Sequence, residues 1–133
     1  QAGTLSGNPV AMSAGIATLK LLNENGIYDQ LETKTQHLAE GLKNAAQKAG
    51  IPAQVKSVGA MLGLFFADKP VFDFNSAKAS NLDRFAAYYK GMLEKWIFLA
   101  PSQFEAIFTS IAHTDEQLDA TINAAYEVMK TLK

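Results

Sequence analysis

Apolar residues crowd nearly every position from Val10 to Leu22 (Ala11, Met12, Ala14, Ile16, Ala17, Leu19, Leu21, Leu22). A helix covered on most of its faces has this pattern. Asn8 supplies a cap and Pro9 suits the first helical position, so the helix is predicted to begin there and to end at Gly26. Leu31, Leu38, Leu42 and Ala45 or Ala46 then recur at helical spacing, with Glu32, Lys34, Gln36, Glu40 and Lys43 facing outward. Gly50-Ile51-Pro52 stops this second helix. Ala53 to Val58 partly alternates, and the run from Met61 to Ala67 is apolar throughout, as in a strand covered on both faces. These are two adjacent strands or one long strand bent at Gly59.

Asp68-Lys69-Pro70 signals a turn, and Ser80 with Asp83 resembles a capping box. The helix behind it carries Leu82, Phe85, Ala86, Tyr89, Met92 and Leu93 on one face. Trp96 to Ala100 and Ala106 to Ile111 read as strands interrupted by Pro101 to Glu105, and they are predicted to pair as a hairpin. Thr114 and Gln117 box the start of a last helix with Leu118, Ile122, Ala125, Met129 and Leu132 at helical spacing. The order implies an α+β fold, an α/β sandwich in which a small, mainly antiparallel sheet is covered by helices on one side. The first helix has more apolar surface than that sheet can cover, so it is expected to pack on a partner domain.

Composition narrows the function classes. With 133 residues, 48% of them hydrophobic, the chain is long enough for one compact core. The 12 basic and 13 acidic residues are spread evenly, leaving no basic stripe for nucleic acid. There is no cysteine, hence no disulfide or thiolate metal site, and a reducing compartment is permitted. No apolar run approaches a membrane span. A soluble, cytoplasmic protein is expected, with neither membrane nor nucleic acid as partner. The opening Gln1-Ala2-Gly3 in place of Met suggests a segment of something longer.

Two places could carry chemistry. Gly3-Thr4-Leu5-Ser6-Gly7 leads into a helix start, where backbone N–H groups and the helix dipole favour an anion and Thr4 or Ser6 adds a hydroxyl. The same wording is more often a plain capped turn. Ser102-Gln103-Phe104-Glu105 sets an acid between two hydrophobic runs, where it can face a pocket, although an exposed acid in a turn is the commoner outcome. No nucleophile elbow surrounds Ser102, which argues against acyl transfer with His113. His113 precedes a capped helix and suits a turn hydrogen bond, while His37 sits on a polar helix face; two such histidines make a poor metal site. Phe65, Phe66, Tyr88, Tyr89, Trp96 and Phe98 are expected to pack in the core.

Taken together, the motifs form an ordered set. Gln1-Ala2-Gly3-Thr4-Leu5-Ser6-Gly7-Asn8-Pro9-Val10-Ala11-Met12 resembles the stretch that follows the cofactor lysine in class III pyridoxal-phosphate aminotransferases. Gly59 through Phe66, Asp73-Phe74 through Ser80, Ala100-Pro101-Ser102-Gln103-Phe104-Glu105-Ala106 and Ser110-Ile111-Ala112-His113-Thr114 are similar to later stretches of the same family, its aminomutase branch in particular. Ser13 and Ala60 depart from the wording at positions without an active-site role. The resemblance implies a fold-type I homodimer in which residues 1–26 are a loop and connecting helix from the large cofactor domain and residues 27–133 form the C-terminal small domain. It implies pyridoxal 5'-phosphate as cofactor and an exchange of amino and oxo groups that turns glutamate 1-semialdehyde into the tetrapyrrole precursor 5-aminolevulinate.

By the same resemblance, Gly3 and Thr4 reach the cofactor phosphate of the partner subunit, Glu105 lies near the substrate amino groups, and Ser102 is a supporting residue. The resemblance implies that the family's Schiff-base lysine, the acid on the pyridine nitrogen and the aromatic residue over the ring precede Gln1, and the lysines here sit on no matching motif, so the segment alone is expected to be inactive and not to retain the cofactor. A rival in the same family, an ornithine or other omega-amino-acid aminotransferase, often sets an arginine against a substrate carboxylate; the single arginine here, Arg84, falls on a predicted helix. A free-standing α+β binding module is the alternative of another class.

Overall fold

A computed structural model describes residues 3–132; Gln1 and Ala2, with which the opening motif begins, and Lys133 lie outside them. The order is α1 (Pro9–Leu22), α2 (Ile27–Ala49), β1 (Gln54–Val58), β2 (Met61–Phe65), α3 (Phe74–Lys78), α4 (Leu82–Glu94), β3 (Ile107–Phe108) and α5 (Asp115–Met129). The expected α+β class is observed. All three strands join one antiparallel sheet in the order β1-β2-β3.

β1 and β2 form a hairpin with Val58 opposite Met61, turning through Gly59, whose φ of 54° lies in the left-handed region. Across the hairpin Val55 pairs with Leu64 and Ser57 with Leu62, which puts these side chains on one face. That face is the core, where Leu62, Leu64 and Phe66 meet Leu38 and Leu42 of α2, Phe85, Tyr88 and Met92 of α4, and Leu118, Ala125 and Met129 of α5. The Phe66 and Tyr88 rings meet edge to face at 5.4 Å.

The opposite face of β2 carries Met61, Gly63 and Phe65, none of them buried; Met61 is exposed and the other two half-buried. The expectation of a strand covered on both faces is therefore corrected: among the described residues only one face of β2 is buried.

Three further expectations change. Residues 96–100 form no strand and no hairpin with 106–111; only Ile107 and Phe108 are extended, and they pair with β2. Trp96 instead adopts a left-handed φ of 63° and is 96% exposed, and Phe98 is also exposed, so these two aromatics point away from the core on which Ile97 and Leu99 pack. The cap of α4 is Asn81, whose side chain accepts from the Arg84 amide at 2.9 Å, while Ser80 is buried. Its core face is Phe85, Tyr88 and Met92, with Leu82, Ala86 and Leu93 outside. Finally, α1 ends at Leu22 with Asn23 as its cap, and Gly26 (φ 83°) turns the chain into α2.

Other local signals hold. Asn8 caps α1, Gly50 ends α2 in the left-handed conformation, and Thr114 and Gln117 box α5 reciprocally. The short α3 escaped the periodicity; Asp73 and Ser76 box its start, and the Ser76 amide and then its hydroxyl hold the Asp73 carboxyl below the usual range. No residue of α1 is buried: Val10, Met12, Ile16, Leu19 and Leu21 all face outward. None of the described helices is long and apolar enough to cross a membrane.

Candidate functional site

The short strand β3 determines where the polar turn before it lies. Ile107 and Phe108 pair with Leu62 and Met61, and the Thr109 amide donates to the Ala60 carbonyl at 3.0 Å. The turn 101–106 is thereby brought beside β2. Glu105 and Phe104 line a cleft of about 240 Å³ with Lys56, Gly63 and Phe65, residues of the less covered face of the sheet. Glu105 is exposed at this cleft. A carboxylate there can hold an ammonium or pass a proton. The neighbouring cation is otherwise engaged, since Lys56 Nζ donates to the Val71 carbonyl at 2.8 Å.

Ser102 serves the turn itself. Its Oγ accepts from the Phe104 amide at 3.2 Å and its carbonyl accepts from the Glu105 amide at 3.1 Å. Gln103 is the residue that sequence reasoning missed. It lines the same cleft yet is 4% exposed, its Nε2 donates to Ser80 Oγ, and Ser80 Oγ in turn donates to the Ala77 carbonyl. Gln103 Oε1 is buried with no partner among the described residues. A neutral amide inside a polar turn carries no sequence signal of such burial.

Gly3 and Thr4 stand apart from the Glu105 cleft, which includes neither. The loop folds on itself through Ser6 N–H to the Gly3 carbonyl at 2.9 Å and Asn8 N–H to the Leu5 carbonyl at 3.0 Å, leaving the exposed Thr4 hydroxyl outside these bonds. The first-turn donors of α1 are already taken, because Asn8 Oδ1 accepts from Val10 and Ala11 and Pro9 has no N–H. An anion would therefore meet the turn and the Thr4 hydroxyl, not the helix start.

The remaining candidates have structural work. His113 Nδ1 accepts from the Ser110 amide at 3.0 Å, closing a turn as expected, and His37 Nε2 pairs with Asp119 at 2.7 Å. Among the described residues no group of three or more acids and histidines could hold a metal. Arg84 lines a different cleft, with Lys69, Phe72 and Ser76.

Comparison with known proteins gives a consistent pattern. The profile of the family described as "Aminotransferase class-III" matches residues 1–124. A curated glutamate-1-semialdehyde 2,1-aminomutase of Desulfosudis oleivorans is 67% identical over 99% of this chain, which spans 31% of that protein's length. Among solved structures, a glutamate-1-semialdehyde-aminomutase from Pseudomonas aeruginosa PAO1 superposes with a TM-score of 0.83 at 20% identity, over 99% of this chain and 29% of the other. An omega-transaminase from Sphaerobacter thermophilus gives 0.82 at 21% identity, over 99% and 30%. At such identities the superpositions establish the fold alone.

Proposed function

Since the chain belongs to the class-III aminotransferase family, we propose that it acts as the C-terminal part of a longer pyridoxal-phosphate aminomutase that converts glutamate 1-semialdehyde into 5-aminolevulinate. The observation that carries this reading is the 67% identity, over nearly the whole chain, to a protein of that name. In it, residues 27–133 are the small domain of a fold-type I enzyme and residues 1–26 connect to the large one. The bare apolar surface of α1 supports the division.

Pyridoxal phosphate, when bound, supplies the electron sink for carbanion chemistry. The exposed turn fits one end of it: among the described residues Thr4 has a hydroxyl outside the two bonds that close the loop, and Gly3 lets the backbone approach closely. These two residues would hold the phosphate of a partner subunit's cofactor. Glu105 would receive the substrate's ammonium at its carboxylate oxygens or hold a proton there. Ser102 shapes the turn that presents it. The lysines of this segment lie on no stretch resembling the family's Schiff-base motif, so the segment alone would be inactive and would not keep the cofactor.

The test uses the longer polypeptide that contains this segment. It should carry a visible absorption band and convert glutamate 1-semialdehyde, and Glu105→Gln should lower kcat by about a hundredfold. Conversion of ornithine with 2-oxoglutarate, without aminomutase activity, would replace this reading with the omega-aminotransferase one.

A further inference from the structure

We propose that Gln103 is a positioning residue for Glu105, acting through a hydrogen-bonded clamp to Ser80; the inference rests on the role of Glu105 proposed above. The orientation of the amide follows from its neighbours. Ser80 spends its one proton on the Ala77 carbonyl, so its oxygen can only accept, and the group facing it must be the Gln103 NH₂. Oε1 is then buried with no partner among the described residues. The bond from Nε2 to Ser80 Oγ that remains is directional and holds the buried amide in one orientation.

The clamp supplies that direction. Ser80 sits at the junction of α3 and α4, and the Asn81 amide donates to the Phe66 carbonyl at 2.9 Å, tying the junction to the end of β2. Phe104, next in sequence, rests its ring 5.8 Å from that of Phe74 in α3. Residues 103 and 104 are thus both fastened to the α3–α4 side, and the Glu105 amide is bonded back to Ser102. Glu105 leaves this anchored turn at the cleft that Gln103 also lines. Releasing the amide frees the turn to rotate, and a carboxylate displaced by a fraction of an ångström loses much of its effect on a reacting group.

The experiment is a double-mutant cycle in the full-length holoenzyme with Gln103→Met, which keeps volume and removes the amide, and Glu105→Gln. Ser80→Ala serves as a second way to open the clamp. Gln103→Met and Ser80→Ala should each lower kcat by about tenfold, with KM altered less than about twofold and the cofactor band and melting midpoint retained. In the Glu105→Gln background, Gln103→Met should change kcat by less than about twofold. Additive losses, or full activity of both clamp variants while Glu105→Gln is impaired, would overturn the positioning role and leave the Glu105 reading standing. An active Glu105→Gln enzyme would remove the role of Glu105 itself and the inference with it. Should Gln103→Met fail to fold, the Ser80→Ala cycle decides the same question.

Discussion

Replacing Gly91 by alanine puts the packing of α4 on α5 to a quantitative test. A Cβ built at Gly91 falls 2.6 Å from Val128 Cγ1, 3.1 Å from Cγ2 and 3.5 Å from Cβ. Ordinary carbon contacts lie at about 3.5–4.0 Å. Val128 is buried and stiff at χ1, and with both methyls near the new atom, rotating one away brings the other in. The helices must therefore separate, an overpacking cost of about 1–3 kcal/mol. Alanine returns up to about 1 kcal/mol of helix propensity. The net expectation is a loss of about 1–2 kcal/mol, or a melting midpoint lower by about 5 °C in a domain of this size. Thermal or urea unfolding would measure it. Adding Val128→Ala removes the obstructing methyls, so the double variant should lose at least about 1 kcal/mol less than the sum of the singles. An unchanged or raised midpoint for Gly91→Ala would mean that the close approach is absorbed freely and that helix propensity governs the position.

Thr114→Ala should cost about 1 kcal/mol by opening the box at the start of α5, and Thr114→Ser should recover most of it in the same unfolding assay. The hydrogen bond from Lys34, and after it the Lys34 charge, hold Asp115 below the usual carboxylate range. A depressed carboxylate stabilises the fold above its unfolded value, near pH 4, and loses that contribution as pH falls through the lower folded value. Lys34→Met should accordingly narrow the difference in melting midpoint between about pH 6 and pH 3; an unaltered difference would contradict the assignment. Burial pushes the Tyr88 phenol well above its ordinary value, so its contribution is complete below about pH 10 and falls above it. Tyr88→Phe should unfold at a higher pH than the parent in an alkaline titration.

Helix positions were readable because local chemistry and the fold agree. Asn8, Gly50 and Thr114 do at the helix ends what their side chains or missing side chains dictate. The run from Trp96 to Ala100 misled because hydrophobicity does not say which surface a residue faces; Ile97 and Leu99 pack on the core while Trp96 and Phe98 point outward. For the same reason the uncovered face of β2 read as buried. Ser80 and Asn81 are both good caps; Asn81 takes the role, while the Ser80 hydroxyl is engaged by the Ala77 carbonyl and the Gln103 amide. The loop of Gly3 and Thr4 and the turn of Ser102 and Glu105 stood out by residue type, with their roles implied by resemblance, whereas the cleft beside Glu105 depends on β3 joining β2, a pairing that two residues cannot announce.

None of the 14 residues of α1 is buried against the described rest of the chain, and only Leu22 is half-covered. An uncovered helix of that length sits at the margin of independent stability in water. Its end bonds, Asn8 at one terminus and the Asn23 amide to Leu19 at the other, set a starting shape without fixing its lifetime. Deuterium uptake along residues 12–22 would therefore report whatever settles on that apolar surface. It would do so without reference to turnover, which makes this stretch an internal gauge of assembly.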